Sequence, residues 1–234
     1  MEPVASQKDE STFTKEKIDI LKTYTPQHKV RFLTAASLFD GHDASINIMR
    51  RLLQQRGGEV IHLGHNRSAQ EVVLAAIQED VHAVALSSYQ GGHVEYFSYI
   101  RKLLDEAGGS DICLFGGGGG VITLDEIALL SSRGINKIYS PEDGQLLGLD
   151  GIIGHMLYTS DRMITQWQKK PNSDALLARG LSLLENKQTT LAQATKKLQR
   201  TKKSKPKAPI LGITGTGGAG KSSMVDEILH RFLV

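Results

Sequence analysis

The feature that most constrains the fold is a regular alternation of short β-rich runs with amphipathic helical runs, which extends from Val30 to about Tyr158. Between the β-rich runs, apolar residues recur at the spacing of helices that bury one face. Parallel strands need a crossover, usually helical, so this alternation predicts a parallel sheet with helices on both faces. We expect a flavodoxin-like, doubly wound α/β domain with five strands at 30–38, 59–63, 81–87, 111–115 and 136–139.

Two of the predicted helices carry a clear start signal. Ser68 is followed three residues later by Glu71, and Thr123 by Glu126. A serine or threonine with a glutamate at this spacing forms a capping box, in which each side chain binds a backbone N–H group of the other residue. We therefore expect helices to begin directly after Ser68 and Thr123.

The segments that flank this domain have a different character. We divide the 234 residues into a mobile N-terminal tail at 1–28 that includes a short helix, the α/β domain at 29–160, a linker at 161–207 and the beginning of a further domain at 208–234. Leucines at helical spacing predict one docking helix in the linker, over Asp174–Glu185. The linker then becomes basic.

The basic character is concentrated in one place. The formal charge is only +3, yet seven Lys or Arg residues and no acid lie between Lys196 and Lys207. A solvated linker is favoured over a nucleic-acid or membrane-surface site, since no aromatic residue interrupts the run. The single Cys113 excludes an internal disulfide, and neither a signal peptide nor a membrane-length apolar run is present. We expect a cytoplasmic protein with no nucleic-acid or membrane partner.

A candidate ligand loop follows the first strand. In open parallel sheets, ligands bind outside the carboxyl ends of the strands, where His42 should lie. Asp40 precedes it by two residues, so its carboxylate can bind one ring nitrogen and fix the tautomer, as in metal-binding histidines. One histidine and one carboxylate are too few for a zinc site. They suffice for cobalt in a corrin, which needs a single axial ligand.

Two further loops favour a large, flat cofactor at the same edge. Residues 87–93 follow the third strand, and the run Gly116–Gly120 follows the fourth. Consecutive glycines have no side chains to block a ligand and tolerate positive φ angles. With the His42 loop, they should line one crevice with room for an elongated tail.

These motifs resemble the cobalamin-binding domain of base-off, His-on corrinoid enzymes. The pattern D-x-H-x-x-[GS], then S-x-[LY], then GG, covers about 29–160 and is most similar to the adenosylcobalamin-dependent acyl-CoA mutase family. Ser45 stands where the family usually has glycine, and Tyr89 where it usually has leucine. The resemblance implies that His42 is the lower axial ligand of cobalt and that Asp40 orients it. The implied cofactor-binding residues are Asp40, Gly41, His42, Asp43, Ser45, Ser87, Tyr89, Gly91, Gly92, His93, Gly118, Gly119 and Gly120.

A second motif, Gly215–Ser222, fits the phosphate-binding loop pattern G-x-x-x-x-G-K-[ST]. Its backbone N–H groups form an anion nest at the start of a helix, and an apolar run at 209–213 predicts the strand before it. Lys221 would reach the β- and γ-phosphates, and Ser222 would bind Mg²⁺. The loop does not distinguish GTP from ATP, whereas the family resemblance implies GTP. The predicted nucleotide-binding residues are Gly215, Gly217, Gly218, Ala219, Gly220, Lys221, Ser222 and Ser223.

Only a dozen residues follow Ser222, so we expect the front end of a larger protein. We therefore expect a truncated P-loop NTPase domain, which by itself neither binds nor hydrolyses GTP efficiently. We identify no catalytic residue in this stretch.

The resemblance implies a homodimeric mutase that interconverts isobutyryl-CoA and n-butyryl-CoA, with the acyl-CoA bound by a barrel beyond Val234 and a GTPase chaperone domain between. The alternatives are a methylmalonyl-CoA-type mutase, a non-catalytic corrinoid carrier or sensor, and a flavodoxin-like domain that binds no corrin.

Overall fold

A parallel sheet organises the computed structural model, which describes residues 13–42, 44–167, 173–199 and 211–233. Within these residues the sheet has five strands, β1 (Arg31–Ser37), β2 (Glu59–Arg67), β3 (Ala83–Ser87), β4 (Cys113–Gly117) and β5 (Lys137–Tyr139). Their order in the sheet is β2-β1-β3-β4-β5, and every neighbouring pair is parallel. This is the flavodoxin-like order, so the predicted fold class is confirmed.

Helices cover both faces of this sheet and create two cores. Neighbouring strand residues such as Phe32 and Leu33 enter opposite cores and are both fully buried. The helices are α1 (Lys15–Thr23), α2 (Ala44–Gln55), α3 (Ala69–Gln78), α4 (His93–Glu106), α5 (Leu124–Ser132) and α6 (Pro141–Ser160). One core includes α3, α4 and α5, and the other includes α1, α2 and α6. None of the helices in the described part of the chain is suited in length and hydropathy to span a membrane.

Local side-chain chemistry sets several helix starts. Ser68 and Glu71 form the predicted capping box of α3, and Thr123 and Glu126 form that of α5. A third box, Ser140 with Asp143, begins α6. In each case the hydroxyl accepts from a first-turn N–H group that would otherwise lack a partner. Both predicted boxes are therefore confirmed.

Two strands extend beyond their predicted ends. β2 continues to Arg67 instead of ending at residue 63, and β4 runs over Cys113–Gly117 instead of 111–115. Pairing with β3 and β5 draws Gly116 and Gly117 into β4, so only the last three glycines of the run form the loop. Gly116 lies beneath the Phe97 ring, where any side chain would collide with it.

The N-terminal segment differs from the predicted mobile tail. From Phe13 onward it is packed against the domain, with Ile18 and Leu21 of α1 buried in the core shared with α6. The Arg56 guanidinium donates to the backbone oxygens of Leu21 at 3.0 Å and Tyr24 at 2.7 Å. The tail prediction is therefore corrected for residues 13–28, because apolar burial outweighs the polar character of the sequence.

The predicted docking helix is present as α7 (Ser173–Glu185), followed by α8 (Leu191–Gln199). Ala175 of α7 enters the core beside α3. The Arg179 Nε atom donates to both carboxylate oxygens of Asp80, at 2.9 and 3.0 Å, and both side chains are buried. The described residues up to Gln199 thus form one compact unit, and those from Leu211 belong to another, which contains α9 (Lys221–Leu233). Most of the basic run, from Arg200 to Lys207, lies outside the described residues.

We expect Arg179→Ala to lower the free energy of unfolding by about 3 to 5 kcal/mol, because it leaves the buried Asp80 carboxylate without its partner. Urea denaturation of the two proteins measures the difference. Leu177→Ala on the same helix is the matched control; this side chain is 51% exposed, and its loss should change stability by about 0.5 kcal/mol or less. Equal effects of the two substitutions would show that the ion pair does not anchor α7.

Candidate functional site

Asp40 and His42 meet as predicted in the loop after β1. The Asp40 carboxylate is buried, and its Oδ1 atom accepts hydrogen bonds from the backbone N–H and the Nδ1 atom of His42, both at 2.9 Å. Its Oδ2 atom accepts from the backbone N–H of Tyr89 at 2.6 Å. The His42 side chain is 77% exposed. With Nδ1 bound to the carboxylate, Nε2 is the ring nitrogen left to bind a metal.

The environment of Asp40 keeps it ionised at neutral pH. Burial raises the pKa of this carboxyl, but hydrogen bonds from the backbone N–H groups of Tyr89 and His42 and from the His42 ring outweigh burial and lower the pKa below its ordinary value. An ionised carboxylate only accepts hydrogen bonds, so the proton of the pair resides on Nδ1. This arrangement leaves the Nε2 lone pair available to a metal, as in metal-binding histidines whose other ring nitrogen donates to a carboxylate.

The loop after β3 lies beside the His42 loop. Ser88 accepts a hydrogen bond from Ser37 of β1 at 2.9 Å, which joins the ends of the two strands. The Tyr89 ring centroid lies 5.7 Å from that of His42, and the Tyr89 hydroxyl is 2.8 Å from Ser45 Oγ at the start of α2. Strand order thus brings residues from two distant segments to one edge of the sheet.

A largely apolar cavity of about 250 Å³ opens at this edge between α2 and α6. Ser87 lines it, and its Oγ atom is buried without a hydrogen-bond partner among the described residues. An unsatisfied buried hydroxyl costs about 1 to 3 kcal/mol, so a ligand with an acceptor atom would suit it. The other lining residues are Ser45, Ile46, Ile48, Met49, Ala85, Leu86, Tyr89, Phe115, Gly116, Gly117, Gly118, Tyr139, Ser140, Leu149, Ile152 and Met156.

The glycine loop allows the loops after β3 and β4 to approach closely. A side chain at Gly118 would collide with the backbone oxygen of Ser88. Gly119 has a φ of +58° and would place a Cβ atom 3.2 Å from the Tyr89 ring, whereas Gly120 lies in open space. Close approach of the two loops thus leaves a largely apolar cavity with one unpaired hydroxyl, which suits a flat apolar ligand that carries an acceptor atom.

The remaining predicted cofactor residues do not converge on the cavity. Gly41 and Gly91 have open space around them, and Gly92, with a φ of +84°, precedes α4. The His93 ring is buried, with Nδ1 3.1 Å from the Gln90 oxygen and Nε2 3.1 Å from Glu126 Oε2, although the latter pair is not aligned for a hydrogen bond. Both nitrogens thus face protein groups instead of the crevice. Asp43 lies outside the described residues.

Sequence analysis missed the contribution of the helices to the cavity. Met49 of α2 and Leu149, Ile152 and Met156 of α6 line it, although their spacing predicts only ordinary core packing. It also missed Asn66, whose Oδ1 atom accepts from the backbone N–H of Phe39 at 2.8 Å. Asn66 and Phe39 both have positive φ angles, 57° and 62°. An asparagine in a loop, which tolerates this conformation, was the available signal.

The phosphate-binding loop lies in the second unit. α9 begins at Lys221 as predicted, and Ser222 and Ser223 lie in its first turn. Lys221 Nζ donates to the backbone oxygens of Gly215 at 2.9 Å and Thr216 at 2.6 Å, so the lysine folds over its own loop. Gly218 and Gly220 have φ angles of 77° and 73°, and Gly217 and Ala219 complete the turn.

The strand predicted before this loop is not found in the described residues. Pro209 and Ile210 lie outside them, and 211–213 have no strand conformation. A strand becomes stable only when neighbouring strands satisfy its backbone groups. No described residue pairs with this segment, which explains the difference.

Comparison with known proteins identifies two families along the chain. The family described as B12 binding domain matches residues 30–139. The family described as methylmalonyl Co-A mutase-associated GTPase MeaB matches residues 177–234. The first match coincides with the sheet and its loops, and the second begins within α7.

Three relatives extend these matches. The chain is 54% identical to a fused isobutyryl-CoA mutase from Geobacillus kaustophilus, over 90% of this chain and 20% of that protein. It is 56% identical to a fused isobutyryl-CoA mutase from Cupriavidus metallidurans, over 88% of this chain and 19% of that protein. It is 36% identical to the 2-hydroxyisobutanoyl-CoA mutase small subunit of Aquincola tertiaricarbonis, over 48% of this chain and 81% of that subunit.

The sheet, its loops and the family match together define a B12 binding domain. The chain belongs to the acyl-CoA mutase family and carries, after that domain, the beginning of a MeaB-type GTPase domain. It spans about a fifth of the length of the fused mutases that it matches.

We expect Asp40→Asn to weaken cobalamin binding by about 10- to 100-fold without unfolding the domain. An amide has one acceptor oxygen instead of two, and its NH₂ group would face a backbone N–H group. Titration with cobalamin measures the affinity, and circular dichroism monitors the fold. The control is Asp19→Asn on the exposed face of α1. If Asp40→Asn bound cobalamin as tightly as the unmodified protein, Asp40 would only cap its loop.

Proposed function

We propose that residues 30–139 bind cobalamin in the base-off form, with His42 Nε2 as the lower ligand of cobalt. The observation that carries this proposal is the pair formed by buried Asp40 and exposed His42 beside an apolar cavity. The match to the B12 binding domain family supports it.

Each residue then has a defined task. Asp40 keeps the proton on Nδ1 of His42 and so leaves Nε2 free to bind cobalt. The cavity would exclude water from the tail of a bound corrinoid, and the Ser87 hydroxyl, which has no hydrogen-bond partner among the described residues, would donate to an acceptor atom of that tail. Ser45, Tyr89 and Gly118 also line this cavity, and Gly119 lies against the Tyr89 ring.

We propose that the complete protein is an adenosylcobalamin-dependent mutase that interconverts isobutyryl-CoA and n-butyryl-CoA. The two fused isobutyryl-CoA mutases, which match about nine-tenths of this chain, support this assignment. Bound adenosylcobalamin supplies the radical that starts a carbon-skeleton rearrangement. The residues of this chain bind and orient that cofactor, and the acyl-CoA is bound elsewhere in the protein.

The loop Gly215–Ser222 is proposed to bind the phosphates of GTP in the GTPase domain. Lys221 would exchange the oxygens of Gly215 and Thr216 for the β- and γ-phosphates, and Ser222 would bind Mg²⁺. The choice of GTP over ATP rests on the MeaB match. The homodimer, the cytoplasmic location and the absence of nucleic-acid and membrane partners stay predictions.

Replacing His42 with alanine should remove the nitrogen ligand of cobalt. With ¹⁵N-histidine labelling, the electron paramagnetic resonance spectrum of bound cob(II)alamin should show a ¹⁵N hyperfine signal that His42→Ala abolishes. His65→Ala, which removes an exposed histidine of β2, should retain it. A spectrum of the unmodified protein with benzimidazole coordination alone would overturn the proposed mode of binding.

In the protein that carries the complete GTPase domain, we expect Lys221→Ala to reduce Mg²⁺-dependent GTP turnover by about 100-fold or more, because the charge that stabilises the transferring phosphoryl group is lost. Phosphate release measures the rate. The control, Arg231→Ala, removes a cation of the same helix that pairs with Glu227 and should leave turnover unchanged. Unimpaired turnover in Lys221→Ala would show that this loop is not the phosphate site.

A further inference from the structure

A hydrogen bond spans the border of the cavity on the side nearest His42. Ser45 Oγ, from the first turn of α2, lies 2.8 Å from the hydroxyl of Tyr89, from the loop after β3. Both residues line the cavity, whereas the lining as a whole is largely apolar.

Tyr89 contacts both the loop that carries His42 and the wall of the cavity. Its backbone N–H donates to Asp40, its ring lies 5.7 Å from the His42 ring, and its hydroxyl contacts Ser45. The ring also rests on Gly119, where a Cβ atom would lie 3.2 Å away. Tyr89 therefore lies between the exposed metal-binding histidine and the buried cavity.

We propose that the hydrogen bond between Ser45 and Tyr89 is a latch that the nucleotide tail of a corrinoid opens when it enters the cavity. The inference rests on the proposed function, because it assumes that His42 binds cobalt. A ligand anchored at His42 reaches the cavity past Tyr89, and the two hydroxyls bonded to each other close that path.

The open latch has a second consequence for the bound tail. Once separated, the hydroxyls of Ser45 and Tyr89 are both donors beside an otherwise apolar wall. A corrinoid tail carries ribose and phosphate oxygens, which accept hydrogen bonds from such groups. The latch thereby distinguishes corrinoids with a nucleotide tail from those without one, since only the former exchange its hydrogen bond for new ones.

The test compares cobalamin with cobinamide, which has the corrin ring but no nucleotide tail. Stopped-flow absorbance measures the association and dissociation rates of both ligands. Tyr89→Phe and Ser45→Ala each remove the latch and keep the Tyr89 position aromatic beside His42. We expect each to raise the cobalamin association rate by roughly 3- to 10-fold, as expected for one lost hydrogen bond. We expect dissociation to accelerate as well, with the cobinamide rates unchanged.

Two controls separate the latch from other effects. The double variant Ser45→Ala with Tyr89→Phe should associate with cobalamin as fast as either single variant, because all three lack the same bond, and should dissociate faster than either, because it lacks both donors to the tail. Tyr99→Phe changes a tyrosine of α4 that bonds to Gln70 away from the cavity, and it should leave all rates unchanged.

If cobalamin associated and dissociated at unchanged rates in both single variants, the proposed latch would be wrong, whatever the rates measured with cobinamide. Equal changes for both ligands would also overturn it, since they would show that Tyr89 acts by positioning His42. If the unmodified protein bound no cobalamin, or bound it without the histidine signal, the proposed function itself would fail.

Discussion

The site depends on how one buried charge is held. Asp40 lies in a position from which water is excluded, where an ionised carboxylate is costly unless hydrogen bonds replace its solvation. Its three donors come from the loops after β1 and β3. The same carboxylate therefore fixes the tautomer of His42 and the distance between the two loops. Because the His42 side chain is mostly exposed, Asp40 is the main restraint on its orientation.

The strand order makes this arrangement possible. β1 and β3 are neighbours, and the helices that follow them lie on opposite faces of the sheet, α2 in one core and α4 in the other. Such a switch point leaves a crevice at the carboxyl ends of the two central strands. Asp40 and Tyr89 lie at its two sides, and the cavity continues beneath them between α2 and α6. The position of His42 and the position of the cavity thus both follow from the same switch point in the strand order.

Sequence predicts those features that depend on nearby residues. The alternation of β and α runs was enough for the sheet, and the spacing of Asp40 and His42 was enough for their contact. Features that depend on distant partners were missed. Pairing with β5 placed Gly117 in a strand instead of a loop, and the His93 ring faces the Gln90 oxygen and Glu126 instead of the crevice. The kink at Gly148, with a φ of 64°, marks the part of α6 that borders the cavity, although glycine alone does not predict it.

Contacts between distant residues also explain why the MeaB family match begins before the compact unit that contains the B12 binding domain has ended. The MeaB match begins at residue 177, inside α7, yet this helix is packed on the B12 binding domain through Ala175 and the Arg179–Asp80 pair. Lys29 and Glu185 add a contact between the start of β1 and the end of α7. These contacts lie near the amino ends of the strands, away from His42. Separating α7 from the sheet would break the Arg179–Asp80 pair and expose Ala175 to water, so the packing of this GTPase-family segment is tied to that of the B12 binding domain.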